Sequence, residues 1–228
     1  MNMKPRQMSD SYLLGILLAL TGGYLDAHTY LFRGGVFANA QTGNIVLFGV
    51  SLAKGDFLSL VRYLIPILAF VAGVLVAEGV RLLFLKNPAI HWRQIVIAME
   101  ILILLGAAWL PQGEWDNVVN VSISFVCALQ VETFRKIQGN SLATTMCTGN
   151  LRSATELLFH GIRTRDRSAI FRCGQYLGII LSFILGAAAG VYGTDLWGGR
   201  ALLACCALLL AVFFAMFFRR RAVGPDNV

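Results

Sequence analysis

Apolar positions in this chain form long unbroken blocks, not the alternating or one-faced patterns of water-soluble strands and helices. Blocks that reach or approach the ~20 residues a helix needs to cross a bilayer cover residues 11–31, 57–78, 94–110, 118–133, 170–191 and 201–218. They predict an all-α polytopic membrane protein with six transmembrane helices in a single membrane domain over residues 1–228. Two segments interrupt the pattern: "FANAQTGNIVLF", from Phe37, and "LATTMCTGNLRS", from Leu142, each a polar turn leading into a short helical stretch.

The interruptions belong to a repeat. A shift of 106 residues lays Asp26 on Glu132 and Thr42-Gly43-Asn44 on Thr148-Gly149-Asn150. After a slip of seven residues, Tyr63-Leu64, Ile67-Leu68, Phe70 and Gly73 match Tyr176-Leu177, Ile180-Leu181, Phe183 and Gly186. Repeat one covers about 11–110 and repeat two about 117–218, each a span, a Thr-Gly-Asn segment and two further spans.

The Thr-Gly-Asn segments are too short to cross. Residues 42–53 make about 12 positions, or ~18 Å at 1.5 Å each, against a hydrocarbon core of ~30 Å. The second segment also carries Arg152 and Glu156, which are costly facing lipid. Both are predicted to be re-entrant half-helices. Residues 32–41, extended at ~3.3 Å each, have the reach to bring the first one to the membrane centre.

Charge distribution favours the same topology, because cytoplasmic loops collect Lys and Arg. With six crossings and the N-terminus inside, 14 of the 19 basic residues are cytoplasmic, among them Lys4, Arg6, Lys86, Lys136 and Arg219 to Arg221; with eight crossings the count falls to 11. Three crossings per repeat is odd, so the second copy enters upside down. This is the inverted-repeat plan of many transporters, with sites near the midplane where broken helices meet. Both termini are then cytoplasmic. Lys4 and Arg6 ahead of an apolar block imitate a secretory signal, but that block recurs in repeat two, so an uncleaved first span is expected.

Composition agrees: 57% of residues are hydrophobic and 14% charged, with a mean hydropathy of +0.69, against a roughly half-apolar soluble average. The net charge of +7 flanks the apolar blocks and forms no basic face interleaved with aromatics, so no nucleic-acid partner is expected. The five cysteines show no Cys-x-x-Cys or Cys/His grouping; they predict small buried hydrophobes, with no metal and no cofactor. No Walker-type loop, Gly-x-Ser-x-Gly or His-Glu-x-x-His is present, so nothing in the chain would hydrolyse ATP.

Asp26 and Glu132 lead the chemical candidates, since an ionisable group within a span marks a functional site by default. They would handle a proton or cation or bond a polar solute; equally, they would cap amides of a half-helix or pair with Arg33 and Arg135. Thr42 and Thr148 suit N-caps, Gly43 and Gly149 allow close approach, and Asn44 and Asn150 offer amides to a solute. Leftover helix amides there would favour anionic or carbonyl groups. Asn39 and Gln41, with Thr144 and Thr145 in the second copy, are cavity-lining candidates. His28 and Glu100 are accessory candidates, Glu100 being expected to pair with a neighbouring span. Small residues at four-residue spacing, Ala69, Gly73 and Ala77 in one repeat and Ser182, Gly186 and Gly190 in the other, predict close helix packing.

The stretch "GGYLDAHTYLFRGGVFANAQTGNIVLFGVSLAKGD" and the two Thr-Gly-Asn motifs resemble the YoaK-type (DUF1275/UPF0700) family of bacterial inner-membrane proteins over nearly the whole chain. The resemblance implies a multi-pass protein of the bacterial inner membrane and supplies no activity or site residues. From the residues themselves, the expected function is a secondary transporter or channel-like conduit for a small polar or anionic solute, monomeric or homodimeric in the lipid bilayer. The alternatives are an intramembrane enzyme acting on a lipid-like substrate, with the two carboxylates as acid and base, and a non-transporting accessory subunit.

Overall fold

The computed structural model describes residues 11–85, 91–135 and 144–218. Lys4, Arg6, Lys86, Lys136 and Arg219 to Arg221 of the topology count lie outside the described residues. Within them the chain is helical, with no strand: α1 (Tyr12–Phe32), α2 (Gln41–Lys54), α3 (Phe57–Phe84), α4 (Trp92–Ala107), α5 (Asp116–Thr133), α6 (Cys147–Thr164), α7 (Arg167–Trp197) and α8 (Leu202–Phe218), the last two joined by a 3-10 turn at Gly198–Ala201. Every apolar block forms a helix, and so does each Thr-Gly-Asn segment, over 14 residues in α2 but 18 in α6, longer than the half-helix expected and than α4 or α8. The first blocks of α3 and α7 are outrun: these helices have 28 and 31 residues. Asp56 and Asp166 cap them by accepting the Ser59 and Ser168 amides at 3.1 and 2.8 Å.

Two stretches, Phe57–Phe84 and Arg167–Met216, are long and apolar enough to cross a membrane. Their large side chains point outward. Val61, Leu68, Leu75 (67% exposed) and Leu82 (77% exposed) form one stripe along α3 at seven-residue spacing. The interior meanwhile holds Asp26, Arg33, Asn44, Glu100 and Gln130. A water-soluble protein distributes these residue types the other way round; apolar outside and polar inside is the arrangement lipid selects.

Most of the helix pairing is kept when α1–α4 are exchanged for α5–α8, although α3 packs on α4 and α7 does not pack comparably on α8. α1 packs on α7 as α5 does on α3; α2 on α3 as α6 on α7; α4 on α5 as α8 on α1; and α4 meets α8. Direction follows from single contacts. α1 and α7 run the same way: the Tyr12 hydroxyl donates to the Gln175 carbonyl at 2.9 Å, Gly190 lies on Tyr24, and His28 Nδ1 meets Thr194 Oγ1 at 3.0 Å. α1 and α5 run oppositely: Gln130 Nε2 donates to the Leu18 carbonyl at 3.1 Å, while Asn120, earlier in α5, donates to the Arg33 carbonyl at 2.8 Å, just past the end of α1.

Glycine makes the parallel pairs possible. A methyl at Gly186 would strike the Leu20 carbonyl oxygen and come within 2.8 Å of its carbon; one at Gly73 would lie 2.6 Å from the Phe125 carbonyl oxygen. Backbone therefore rests on backbone where no hydrophobic effect drives helices together. Gly186→Ala is expected to lower stability by about 1–3 kcal/mol through overpacking. Gly79→Ala, with nothing within 4 Å of the added carbon, should leave it unchanged or raise it by up to ~1 kcal/mol through helix propensity. Unfolding in detergent checks the pair; equal losses would contradict this packing.

Candidate functional site

α1 stops at Phe32 because Arg33 leaves helical geometry and Gly34 and Gly35 follow at φ 83° and 73°, conformations that side chains with a Cβ resist. The chain then runs back along α1. The Ala38 amide donates to Thr29 Oγ1 at 3.3 Å, the Asn39 amide to Asp26 Oδ1 at 3.0 Å, and Asn39 Nδ2 to the Gly22 carbonyl at 3.4 Å. The Ala40 amide also bonds Asp26. α2 starts beside the middle of α1 and climbs back, for Arg62 in the second turn of α3 donates to the Gly34 carbonyl at 2.7 Å.

From α5, Ser124 Oγ donates to the Ala38 carbonyl at 2.7 Å, and the Cys127 thiol touches Asn39 Oδ1. Asn44 Nδ2 donates to the Phe37 carbonyl at 3.0 Å and to Gln41 Oε1 at 3.1 Å. Carbonyls and amides freed by the break in the helix thus find partners on α1, α5 and α2 itself, as backbone away from water requires.

The second segment reaches the same place. A methyl at Gly22 would meet Thr145 Cγ2 at 2.7 Å and Asn39 Nδ2 at 3.2 Å, so both loops converge on one bare position at the middle of α1. Gln130 Nε2 holds Thr144 Oγ1 at 3.2 Å. α6 then packs Ala154 and Leu157 against Ile16, Ala19, Cys173 and Tyr176.

Between the two loops lies a cavity of about 560 Å³. Its lining comes largely in repeat-related pairs: Asn39 with Thr145, Ala40 with Met146, Gln41 with Cys147, Thr42 with Thr148, Gly43 with Gly149, and Phe70 with Phe183; Asp26, Phe37 and Val131 complete it. Neither short helix has a side-chain cap: Ala40 and Met146 stand at the N-cap positions. Thr42 and Thr148 are not the N-caps expected from their hydroxyls. Each lies inside the first turn, because Gln41 and Cys147 are already helical. Met146 to Gly149, the start of α6, line the cavity, and a helix N-terminus carries partial positive charge.

Several candidate residues stand elsewhere. Asn44 and Asn150 are buried behind the lining, not on it. Glu132 is absent from the cavity; it pairs with Arg135 at 3.0 Å and faces Glu78, itself bound to Arg81 at 2.9 Å. Successive helix residues differ by about 100° in direction, and in α5 it is Val131 that points to the cavity. Arg33 pairs with Asp116 at 3.0 Å and with the Leu110 and Pro111 carbonyls, both at 2.9 Å, not with Asp26. His28 faces Thr194, and the Glu100 carboxyl oxygens have no hydrogen-bond partner among the described residues. Sequence reasoning missed Phe37, Met146, Cys147 and Val131. Phe70 and Phe183 carried a signal, the matched place in the repeat, that their apolar type disguised.

Because Asp26 accepts loop amides, Asp26→Ala is expected to cost about 1–3 kcal/mol by stranding a buried donor. Asp26→Asn keeps an acceptor oxygen and should cost clearly less. Denaturant unfolding in detergent measures both, and an Ala variant as stable as the wild type would show that the amides find other partners.

Residues 14–215 match the family described as "Protein of unknown function (DUF1275)". The UPF0700 transmembrane protein YoaK of Bacillus subtilis (strain 168) is 31% identical to this chain over 146 residues, 61% of this chain and 64% of that protein. The match thus spans a little under two thirds of the relative's length. No solved structure matches.

Proposed function

The chain belongs to the DUF1275 family, whose members are membrane proteins, and from that premise we propose that it is a secondary transporter or channel-like conduit for a small polar or anionic solute. The observation that carries the reading is the cavity of about 560 Å³ between the starts of α2 and α6. That volume falls within the range of small-molecule sites. Its wall combines two helix N-termini, hydroxyls of Thr42 and Thr148, the Asp26 carboxyl and three phenyl rings. Helix N-termini favour anionic and carbonyl groups, and the rings of Phe37, Phe70 and Phe183 give the wall an apolar part.

The architecture we infer is six crossings and two re-entrant half-helices in two inverted three-span repeats. Three observations support it: α1 is antiparallel to α5, most of the helix pairing survives exchange of the halves, and α2 returns to the end of α1 from which the chain came. Eight crossings would make α1 and α5 parallel. In this reading α2 enters from one face and α6 from the other, both termini are cytoplasmic, the membrane is the bacterial inner membrane, and a monomer or a homodimer is the working unit. The Asp26 carboxyl orients the first loop and borders the solute, so it works as a polar gate; Glu132, in its ion pair, is a stabilising element of the α3–α5 contact.

Gly149 offers a direct test, since nothing lies within 4 Å of an added Cβ and its φ is ordinary. Gly149→Phe places a ring at the cavity wall from a position where the first side-chain carbon meets no atom. Proteoliposomes holding the wild type should admit small anions and neutral polar solutes faster than empty vesicles, and those holding Gly149→Phe should fall to the empty-vesicle rate with the protein still folded. Equal flux through both would refute the conduit.

A further inference from the structure

α6 presents two stripes outward besides the face it buries. Asn150, Ala154 and Gly161 lie on the buried face, where Ala154 packs on side chains of α1 and α7. Leu151, Leu158 and Ile162 make an exposed apolar stripe. Turned further from the core, Thr148, Arg152, Glu156 and His160 are all exposed, and their four-residue spacing sets them on one side of the helix. Arg152 donates to Glu156 Oε1 from Nε and Nη2, both at 2.9 Å, and the two side chains are 78% and 61% exposed.

Depth makes this polar stripe costly if lipid covers it. α6 starts at the cavity wall, beside the middle of α1. At 1.5 Å per residue, Arg152 stands ~6 Å beyond Thr148 along the axis and Glu156 ~12 Å, inside the ~15 Å half-thickness of a hydrocarbon core. An ion pair there loses the hydration of both partners, and charged groups at such depth face protein or a water-filled space. This chain does not cover them. Thr148 also lies on the cavity wall, so the polar stripe begins at the cavity and runs out to the exposed end of α6 at Arg163.

The other half-helix has no such stripe. At the places that match in the repeat, α2 carries Thr42, Val46, Val50 and Lys54. Between its cavity threonine and its terminal lysine the face is hydrocarbon, with Val46 and Val50 exposed, as contact with lipid requires. We propose that the polar stripe of α6 is the wall of a water-filled path by which solute enters the cavity from the side of the membrane where α6 ends. That solute travels along this path rests on the conduit reading, whereas the presence of water on the stripe does not.

Cysteine scanning, in membranes made leaky to a small charged thiosulfonate, reads the path. Each position is replaced singly in a chain carrying Cys147→Ala, whose other four cysteines are buried. Thr148→Cys, Arg152→Cys, Glu156→Cys and His160→Cys should react at least ~10-fold faster than Leu151→Cys, Leu158→Cys, Val46→Cys and Val50→Cys, because hydrocarbon admits neither the reagent nor the thiolate it attacks. If Arg152→Cys and Glu156→Cys react as slowly as Val46→Cys, lipid or a second copy of the chain covers the stripe and the path is overturned. Equal speed at Leu151→Cys and Leu158→Cys would put all of α6 in water and overturn it as well. Should loss of the ion pair unfold the chain, Thr148→Cys and His160→Cys keep the pair and bracket it, and the same comparison decides. In proteoliposomes, reagent bound at Glu156→Cys should cut the flux of acetate and glycerol several-fold, and flux left unchanged would show that solute enters elsewhere. Fast labelling of the stripe in a protein that carries neither solute keeps the water path and removes the conduit; flux with slow labelling does the reverse.

Discussion

A polypeptide that breaks its helix among apolar side chains must find a partner for each peptide group it frees, because no bulk water is there to supply one. In this molecule α1 and α5 supply them. Asp26 takes the Asn39 amide, Thr29 the Ala38 amide, Ser124 serves the Ala38 carbonyl and Asn120 the Arg33 carbonyl. These contacts hold the first loop against the middle of α1, where Gly22 leaves room for it and for Thr145 of the second loop. The cavity exists because two such loops stop at one place.

The same requirement explains why the two acids of the repeat have parted ways. Asp26 is a peptide-amide acceptor with one flank on the cavity. Glu132, at the matching sequence position, is turned toward α3 and bound to Arg135, and Gln130 reaches Thr144 in its stead. The amide Nε2 carries two protons, so Gln130 donates to the Leu18 carbonyl as well as to Thr144 Oγ1 and pins α5 to α1. The cavity is consequently pseudo-symmetric in its phenyl rings, threonines and glycines but carries its single carboxyl on one side.

Much of the scaffold was legible in the sequence because long apolar blocks have one outcome in lipid. All six blocks and both short segments became helices, and the spacing of Gly73, Gly186 and Gly190 did identify positions where backbones touch. What escaped was rotational. Residue spacing places Glu132 opposite Asp26 in a repeat, yet whether it or Val131 faces the cavity is a matter of 100° about a helix axis, decided by packing against α3. The Thr42 and Thr148 caps failed for a related reason: the helices begin one residue before them, with Ala40 and Met146 at the N-cap positions. Glu100 was expected to pair, and no pattern in one sequence could reveal that its carboxyl oxygens find no hydrogen-bond partner among the described residues.

The central claim is that α2 and α6 dip from opposite faces and return, so their C-terminal ends lie on opposite sides of the membrane. Lys54 and Arg163 mark those ends and are both exposed. Each, replaced singly by Cys in an otherwise cysteine-free chain, can be challenged in intact cells with a membrane-impermeant maleimide. The account predicts labelling of the Lys54 position from outside and of the Arg163 position only after the membrane is opened. Labelling of both from the same side would contradict it.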